Sequence, residues 1–473
     1  MVLVLTVVVL QSISFANYAL TTKTTNIIYG SAPYLTFDGG RTRITNTEAL
    51  LGITLSDGRT FTPTTNNSSS IYPIELPVIG QSFNDIGMVV PTGMFVPTNY
   101  GEYYIELSSL ISEPYNYWGD DDGDGQGIDG ITATGRLYLG LKDKEGYFVA
   151  FNEVLDICKA PYTLSFLSNT EGTLTTRYGV PNESRFSASN TTYYINPKAA
   201  PQGCFARPIR VHTNMGPNPA SPVWHDTWGF LTQSVTPSSY GSNFPTTGTN
   251  NVYFDLEIGG SNAQALSWAP VSHGGITATM TFPDEQHSHN NFVRVTLTGP
   301  FTTPSQWQSD NPGQIDRPSL PQVFELVGRD SHGNAVVKYG FVLKQWFIAS
   351  SDSEGTQPII SSKCNSFGYR IPDVRDLTNA SCQGWDSEYC GDHGNEIVVA
   401  TPSSPNNKIW RHIGAGLFTE WGFIDSYPDS GFKNNYRTGD YATSDNRFFV
   451  KLFNGQIQYT SFLPGLNGAC VYP

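Results

Sequence analysis

The residues whose types and spacing speak most directly of chemistry are acidic. Asp120-Asp-Asp-Gly-Asp-Gly-Gln-Gly-Ile-Asp129 places Asp120, Asp122 and Asp124 at alternate positions, with Gly125 next. A hard cation such as Ca²⁺ takes about six to eight oxygen ligands, and alternate carboxylates on a tight turn point inward together. Gln126 adds a backbone carbonyl and Asp129 can close the shell. The position where an EF-hand carries its bidentate Glu is Ile131, and no flanking helices are indicated. The segment therefore reads as a structural calcium loop on a β scaffold, stiffening the chain near Trp118. The competing reading is an acidic solvated loop whose glycines turn the chain; there, the clustered carboxylates repel one another without a counter-ion.

Two further constellations carry weaker chemistry. Asp284-Glu-Gln-His-Ser-His289 offers two imidazoles for a transition metal, but one H-x-H without other ligands reads better as an exposed inter-strand loop. Between Cys382 and Cys390, Gln383, Trp385, Asp386, Glu388 and Tyr389 form an aromatic and polar set. Exposed, such residues anchor a protein or glycan ligand by stacking and hydrogen bonding; the same segment also reads as a merely stapled loop. Trp421 is expected in the core. No G-x-S-x-G, H-E-x-x-H or phosphate-cradling glycine loop occurs. In an acidic chain, paired carboxylates nominate no glycosidase pair. No catalytic residue is assigned, and the chain reads as a non-enzyme.

The six cysteines lack C-x-x-C or Cys/His finger spacing, which argues for disulfides in an oxidising compartment rather than zinc or redox chemistry. Grouped by region they pair as Cys158–Cys204, Cys364–Cys470 and Cys382–Cys390. Met1–Leu10 is apolar and is followed by the small residues Ser14 and Ala16, so residues 1–16 read as a signal peptide. No basic residue precedes Lys23, which leaves a buried first strand as the alternative and raises the expectation of a start upstream. No later apolar run is long enough for a transmembrane helix.

The elements that must position these residues are β-strands. The 473 residues carry a formal net charge of −14, which argues against nucleic acid as a partner. With 13% aromatics, 14% charged residues, 46 Gly and 31 Pro, the composition fits short strands and tight turns rather than coiled coil or disorder. Residues 17–230 form a β-rich region, with a hairpin Ile53–Leu55/Arg59–Phe61 across Asp57-Gly58 and a strand Arg136–Leu141 returning as Tyr147–Phe151. Residues 231–350 alternate more cleanly, at Val252–Ile258, Ile276–Phe282 and Phe292–Leu297, followed by a hairpin around Asp330–Asn334, and predict an Ig-like β-sandwich. Residues 351–473 read as a small α+β module with short helices at Pro372–Leu377 and Gly414–Ile424 and a hairpin across Asn454-Gly455.

The last region resembles the C-type-lectin-like modules that cap enterobacterial adhesins of the intimin/invasin group. The resemblance is carried by Cys364-Asn-Ser-Phe-Gly-Tyr-Arg-Ile-Pro-Asp-Val-Arg-Asp-Leu377, Gly414-Ala-Gly-Leu-Phe-Thr-Glu-Trp-Gly422, Phe448-Phe-Val-Lys-Leu-Phe-Asn-Gly455 and Ala469-Cys470-Val471. Upstream, Val252-Tyr-Phe-Asp-Leu256, His273-Gly-Gly-Ile-Thr-Ala-Thr279, Phe324-Glu-Leu-Val-Gly-Arg-Asp330 and Val337-Lys-Tyr-Gly-Phe-Val-Leu-Lys-Gln-Trp-Phe347 are similar to the adhesion domain of invasin-like (invasin E-like) bacterial surface proteins. The match covers about 230–473 and thins before that. It implies tandem β-sandwich domains followed by a lectin-like module that binds a host cell-surface protein or glycan. It also implies a secreted location, or the cell surface of a Gram-negative bacterium. Anchored members carry an outer-membrane barrel and serial Ig-like repeats; their absence implies a secreted or separately presented adhesin, or a fragment. Of the Glu-Pro-Asn calcium loop of sugar-binding lectins only Pro405-Asn406 remains. A secreted carbohydrate-active enzyme and a structural surface subunit without a host ligand stay as alternatives.

Overall fold

Strands form where apolar residues alternate with small polar ones. In the computed structural model, which describes residues 29–123, 130–168, 170–209, 221–283, 291–349, 353–441, 447–460 and 466–473, Arg136–Lys142 turns Leu137, Leu139 and Leu141 inward. Tyr162–Ser168 and Ser189–Asn196 repeat the pattern with Tyr162, Leu164 and Phe166, and with Tyr193 and Ile195. The chain is mostly β, and it divides into two compact units, Met1–Lys198 and Ala199–Pro473.

In the first unit a six-stranded sheet runs Ile74–Glu75, Ser189–Asn196, Tyr162–Ser168, Arg136–Lys142, Tyr103–Glu106, Val96–Pro97. A three-stranded sheet of Glu183–Phe186, Gly172–Thr176 and Ile131–Thr134 contributes Leu174 and Phe186 to the same core. The hairpin at Asp57-Gly58 is present, pairing Ile53 with Phe61 and Thr54 with Thr60. The expected return strand Tyr147–Phe151 is not. Arg136–Lys142 pairs instead with Tyr162–Ser168, a seven-residue strand that buries Tyr162, Leu164 and Phe166, and on its other edge with Tyr103–Glu106. Only the bridge Lys142–Phe148 survives beside the Asp143 turn, where the Asp143 carboxylate accepts from Glu145 N and Tyr147 N.

In the second unit a seven-stranded sheet centres on Gln202–Pro208, Tyr253–Gly259, Phe292–Thr298 and Ile276–Thr281. Against it lies a sheet containing the hairpin Gln322–Arg329/Ala335–Leu343, and Phe254 meets Phe341 edge-to-face at 6.0 Å. This hairpin turns at Asp330–Asn334 as expected. The sequence-derived boundary at 230 differs from the division at Lys198 because Gln202–Pro208 pairs with Tyr253–Gly259. The boundary at 350 also lacks a structural break. Gln345–Ala349 pairs in parallel with Thr247–Thr249 and antiparallel with Ala469–Tyr472, and one apolar core runs from Ala206 to Val471.

The region beyond 350 hangs on that shared strand. Its longest helix, Gln357–Phe367, went unread in the sequence although its signals are ordinary. Pro358 occupies the first turn, Ile360, Cys364 and Phe367 face inward, and Gly368 closes the helix in the left-handed conformation (φ 87°). The two expected helices are shorter, Val374–Leu377 and Leu417–Trp421. Glu420 latches the latter to the sandwich: buried, its carboxylate accepts from the N–H and hydroxyl of both Thr246 and Thr247 and from Gly414 N. The hairpin at Asn454-Gly455 pairs Arg447–Lys451 with Ile457–Thr460. Its turn is wider than the two residues expected, because Lys451 N donates to Gln456 O. Cys364–Cys470 and Cys382–Cys390 are disulfides, Cys158 and Cys204 are also disulfide-bonded, and no cysteine is free. Among the described residues no helix is long and apolar enough to cross a membrane.

Candidate ligand-binding surface

The Cys382–Cys390 loop is held from below by one buried amide. Asn407 Oδ1 accepts from Ile457 N at 2.9 Å, and Nδ2 donates to Ile457 O and Asp386 O, both at 2.9 Å. Asn407 N donates to Trp385 O at 3.0 Å. One residue thus fastens the loop to the strand Ile457–Thr460 through both its amide nitrogen and its carbonyl oxygen. Ser381 adds a second row, donating from N to Asn406 O and from Oγ to Ser404 O at 2.7 Å. The fit is close: a Cβ on Gly384 would stand 2.7 Å from Pro405 O, and one on Gly391 would enter the Tyr459 ring.

A loop fixed on its inner side presents its outer side as a rigid surface. Trp385 is 56% exposed, Tyr389 47% and Tyr459 38%. The Lys451 amine lies 5.5 Å from the centre of the Tyr389 ring. The loop thus exposes two aromatics, with a hairpin cation beside Tyr389 and the Tyr459 ring against Gly391, groups suited to stacking and hydrogen bonding at low entropic cost.

Of the five residues nominated in the sequence, Gln383, Trp385, Glu388 and Tyr389 are exposed. Asp386 differs. It sits in the left-handed region (φ 63°), its carboxylate pairs with Lys408 at 3.2 Å and its carbonyl receives Asn407, so it shapes the loop. Lys451, Tyr459, Lys408 and Asn407 were missed. They come from other segments, and only the hairpin Phe448–Tyr459 hinted that two of them would approach the loop. Trp421 is buried, as are Tyr427 and Tyr436.

The acidic loop is described only in part. Asp124, Gln126 and Asp129 lie outside the described residues, as does Asp284–His289. Of the remainder, Asp122 accepts from Ser31 N at 2.7 Å, and Asp121 pairs with Arg43 and accepts from the Tyr34 hydroxyl at 3.1 Å. Burial, with the bond to Asp121, raises the Tyr34 pKa. These carboxylates pin the segment 31–43. Among the described residues no group of three or more His, Cys, Asp or Glu is placed to hold a metal.

No protein-family model matches the chain, and no curated protein matches it. Among solved structures it is similar to invasin, described as a bacterial integrin-binding protein, at 12% identity and a TM-score of 0.33, covering 78% of this chain and 55% of that one. It is similar to intimin-190 of enteropathogenic E. coli at 12% identity and a TM-score of 0.25, covering 49% of this chain and 90% of that one. A third is SGBP-B from the mixed-linkage glucan utilization locus of Bacteroides ovatus, in complex with a mixed-linkage heptasaccharide, at 14% identity and a TM-score of 0.14, covering 58% and 47%. The chain thus spans about half the length of the invasin structure. None of these TM-scores reaches one half, so the functional reading rests on the surface itself and on the sequence motifs.

Proposed function

We propose that the protein is an adhesin-type binding protein, secreted by or displayed on a Gram-negative bacterium, that engages a host cell-surface protein or glycan without covalent chemistry. The observation that carries this reading is the braced Cys382–Cys390 loop, which holds Trp385 and Tyr389 out of the core, with Lys451 beside the Tyr389 ring and Tyr459 against Gly391. Trp and Tyr dominate binding hot spots, and here the two are presented together on one disulfide-closed loop. Oxidation of all six cysteines agrees with an extracellular setting. The likeness of residues 230–473 to intimin/invasin-group motifs points the same way.

The test is saturable binding of the full chain to epithelial cells and to a mammalian glycan array. Trp385→Ala with Tyr389→Ala is expected to weaken it about 10–100-fold while leaving the melting temperature unchanged. Binding that survives the double substitution, or no binding by the parent, removes the reading. Signal on the array assigns a glycan; cell binding that is lost on protease treatment, with a silent array, assigns a protein.

A further inference from the structure

The first unit carries an open groove of about 690 Å³, bounded by the short helix Thr47–Leu50, the turn after the strand Thr60–Phe61 and the residues entering Ser189–Asn196. That volume falls within the ~300–1,000 Å³ typical of small-molecule sites. Its walls are fixed by hydrogen bonds. Asn46 Oδ1 accepts from Ala49 N at 3.0 Å, Thr47 Oγ1 donates to Ser187 O at 2.8 Å, and Thr62 N donates to Thr65 Oγ1 at 2.8 Å.

Glu48 is held most firmly. Thr62 Oγ1 at 3.1 Å, Thr64 N at 3.2 Å and Thr64 Oγ1 all donate to its Oε1. No described residue donates to Oε2. The bond from the Thr64 hydroxyl leads those that lower the Glu48 pKa, so the carboxylate is ionised at neutral pH. It is a fixed, charged acceptor with one oxygen left for a ligand.

The rest of the groove sets the ligand class. The Asn46 amide nitrogen offers donors, the Ser187 and Ser189 hydroxyls both donate and accept, and Ala49 and Pro63 supply small apolar patches. Neither Lys nor Arg is among the residues lining it, and Glu48 repels anions. Adjacent groups that donate and accept by turns are complementary to a run of hydroxyls, each of which does both. We propose that this groove binds a neutral oligosaccharide, with Glu48 Oε2 accepting from one sugar hydroxyl and Asn46, Ser187 and Ser189 bonding to its neighbours. This is separate from the Cys382–Cys390 surface and does not rest on it.

The experiment is calorimetric titration of the full chain with cellotetraose, maltotetraose and lacto-N-tetraose, with 3′-sialyllactose and tetralysine as charged probes. At least one neutral sugar is expected to bind saturably. Ser187→Trp, at an exposed position, fills the groove and should abolish binding. Glu48→Gln keeps an oxygen for the threonines but turns the free acceptor into a donor, and should weaken binding about tenfold or more. Trp385→Ala should leave it unchanged. The proposal is overturned if no neutral sugar binds, if tetralysine is preferred, if neither groove substitution matters, or if Trp385→Ala removes the binding.

Discussion

Asn407 uses its amide inside the protein: Oδ1 accepts from Ile457 N, while Nδ2 meets the carbonyls of Asp386 and Ile457 and the Cys390 sulfur. Asn407→Ala leaves Ile457 N and Ile457 O without that partner in the buried interior, and Asp386 O without it at the loop. The expected loss is about 2–4 kcal/mol, read from the denaturant midpoint, with weaker ligand binding because the loop loosens. The acidic loop makes a second prediction at this scale, if, as its spacing suggests, it holds structural Ca²⁺. EDTA should lower the melting temperature and Asp124→Ala should remove that sensitivity. Asp124 is the better choice than Asp122, whose carboxylate also holds Ser31 N. An unchanged melt in EDTA eliminates the ion. Individual residues were readable in the sequence where their neighbours framed them, as Trp385 is framed by two cysteines and polar side chains. Lys451 and Tyr459 were not, since their place beside Tyr389 depends on how a distant hairpin folds back.

At the scale of elements, the short helix Val374–Leu377 meets the strand Asn435–Tyr441 through a carboxylate in an unfavourable setting. Asp440 accepts from Val374 N at 2.6 Å, but burial first, and the nearby Asp373 and Asp376 second, raise its pKa above the ordinary 3.8. A carboxyl raised in this way is neutral in both states at low pH. As pH climbs past the ordinary value the unfolded chain ionises first, and stability is lost until the folded carboxyl ionises too. Asp440→Asn should therefore gain stability relative to the parent between about pH 4 and neutrality, with little difference below. Melting the two proteins side by side across that range checks it; a constant difference would show that the group titrates normally. The elements themselves were largely readable, because alternation is a local signal. The helix Gln357–Phe367 leaves a faint sequence signal because its inward residues are spread thinly among polar ones, and the turn before Tyr147–Phe151 yields no strand because a good turn does not guarantee a good partner.

For the whole molecule, the mostly β class followed from composition, whereas the extent of each unit did not. Composition shifts near 230 and 350, but strand pairing ignores both places, joining Gln202–Pro208 to Tyr253–Gly259 and Gln345–Ala349 to Ala469–Tyr472. Pairings between segments far apart in the chain leave no local mark. The shared core predicts that residues 351–473 alone, deprived of Trp346, Phe347 and Ile348, melt without a cooperative transition. Residues 199–473 carrying Cys204→Ser should unfold in one step by circular dichroism. Cooperative unfolding of the shorter piece would show that the core is divisible. The central strand Gln345–Ala349 has a further consequence for manufacture in the cell. One of its neighbours, Thr247–Thr249, leaves the ribosome before it, and the other, Ala469–Tyr472, long after. Throughout that delay one edge stands open, and an open edge recruits wrong strands. The order in which the chain is made therefore sets how long the strand Gln345–Ala349 waits for its last partner, Ala469–Tyr472.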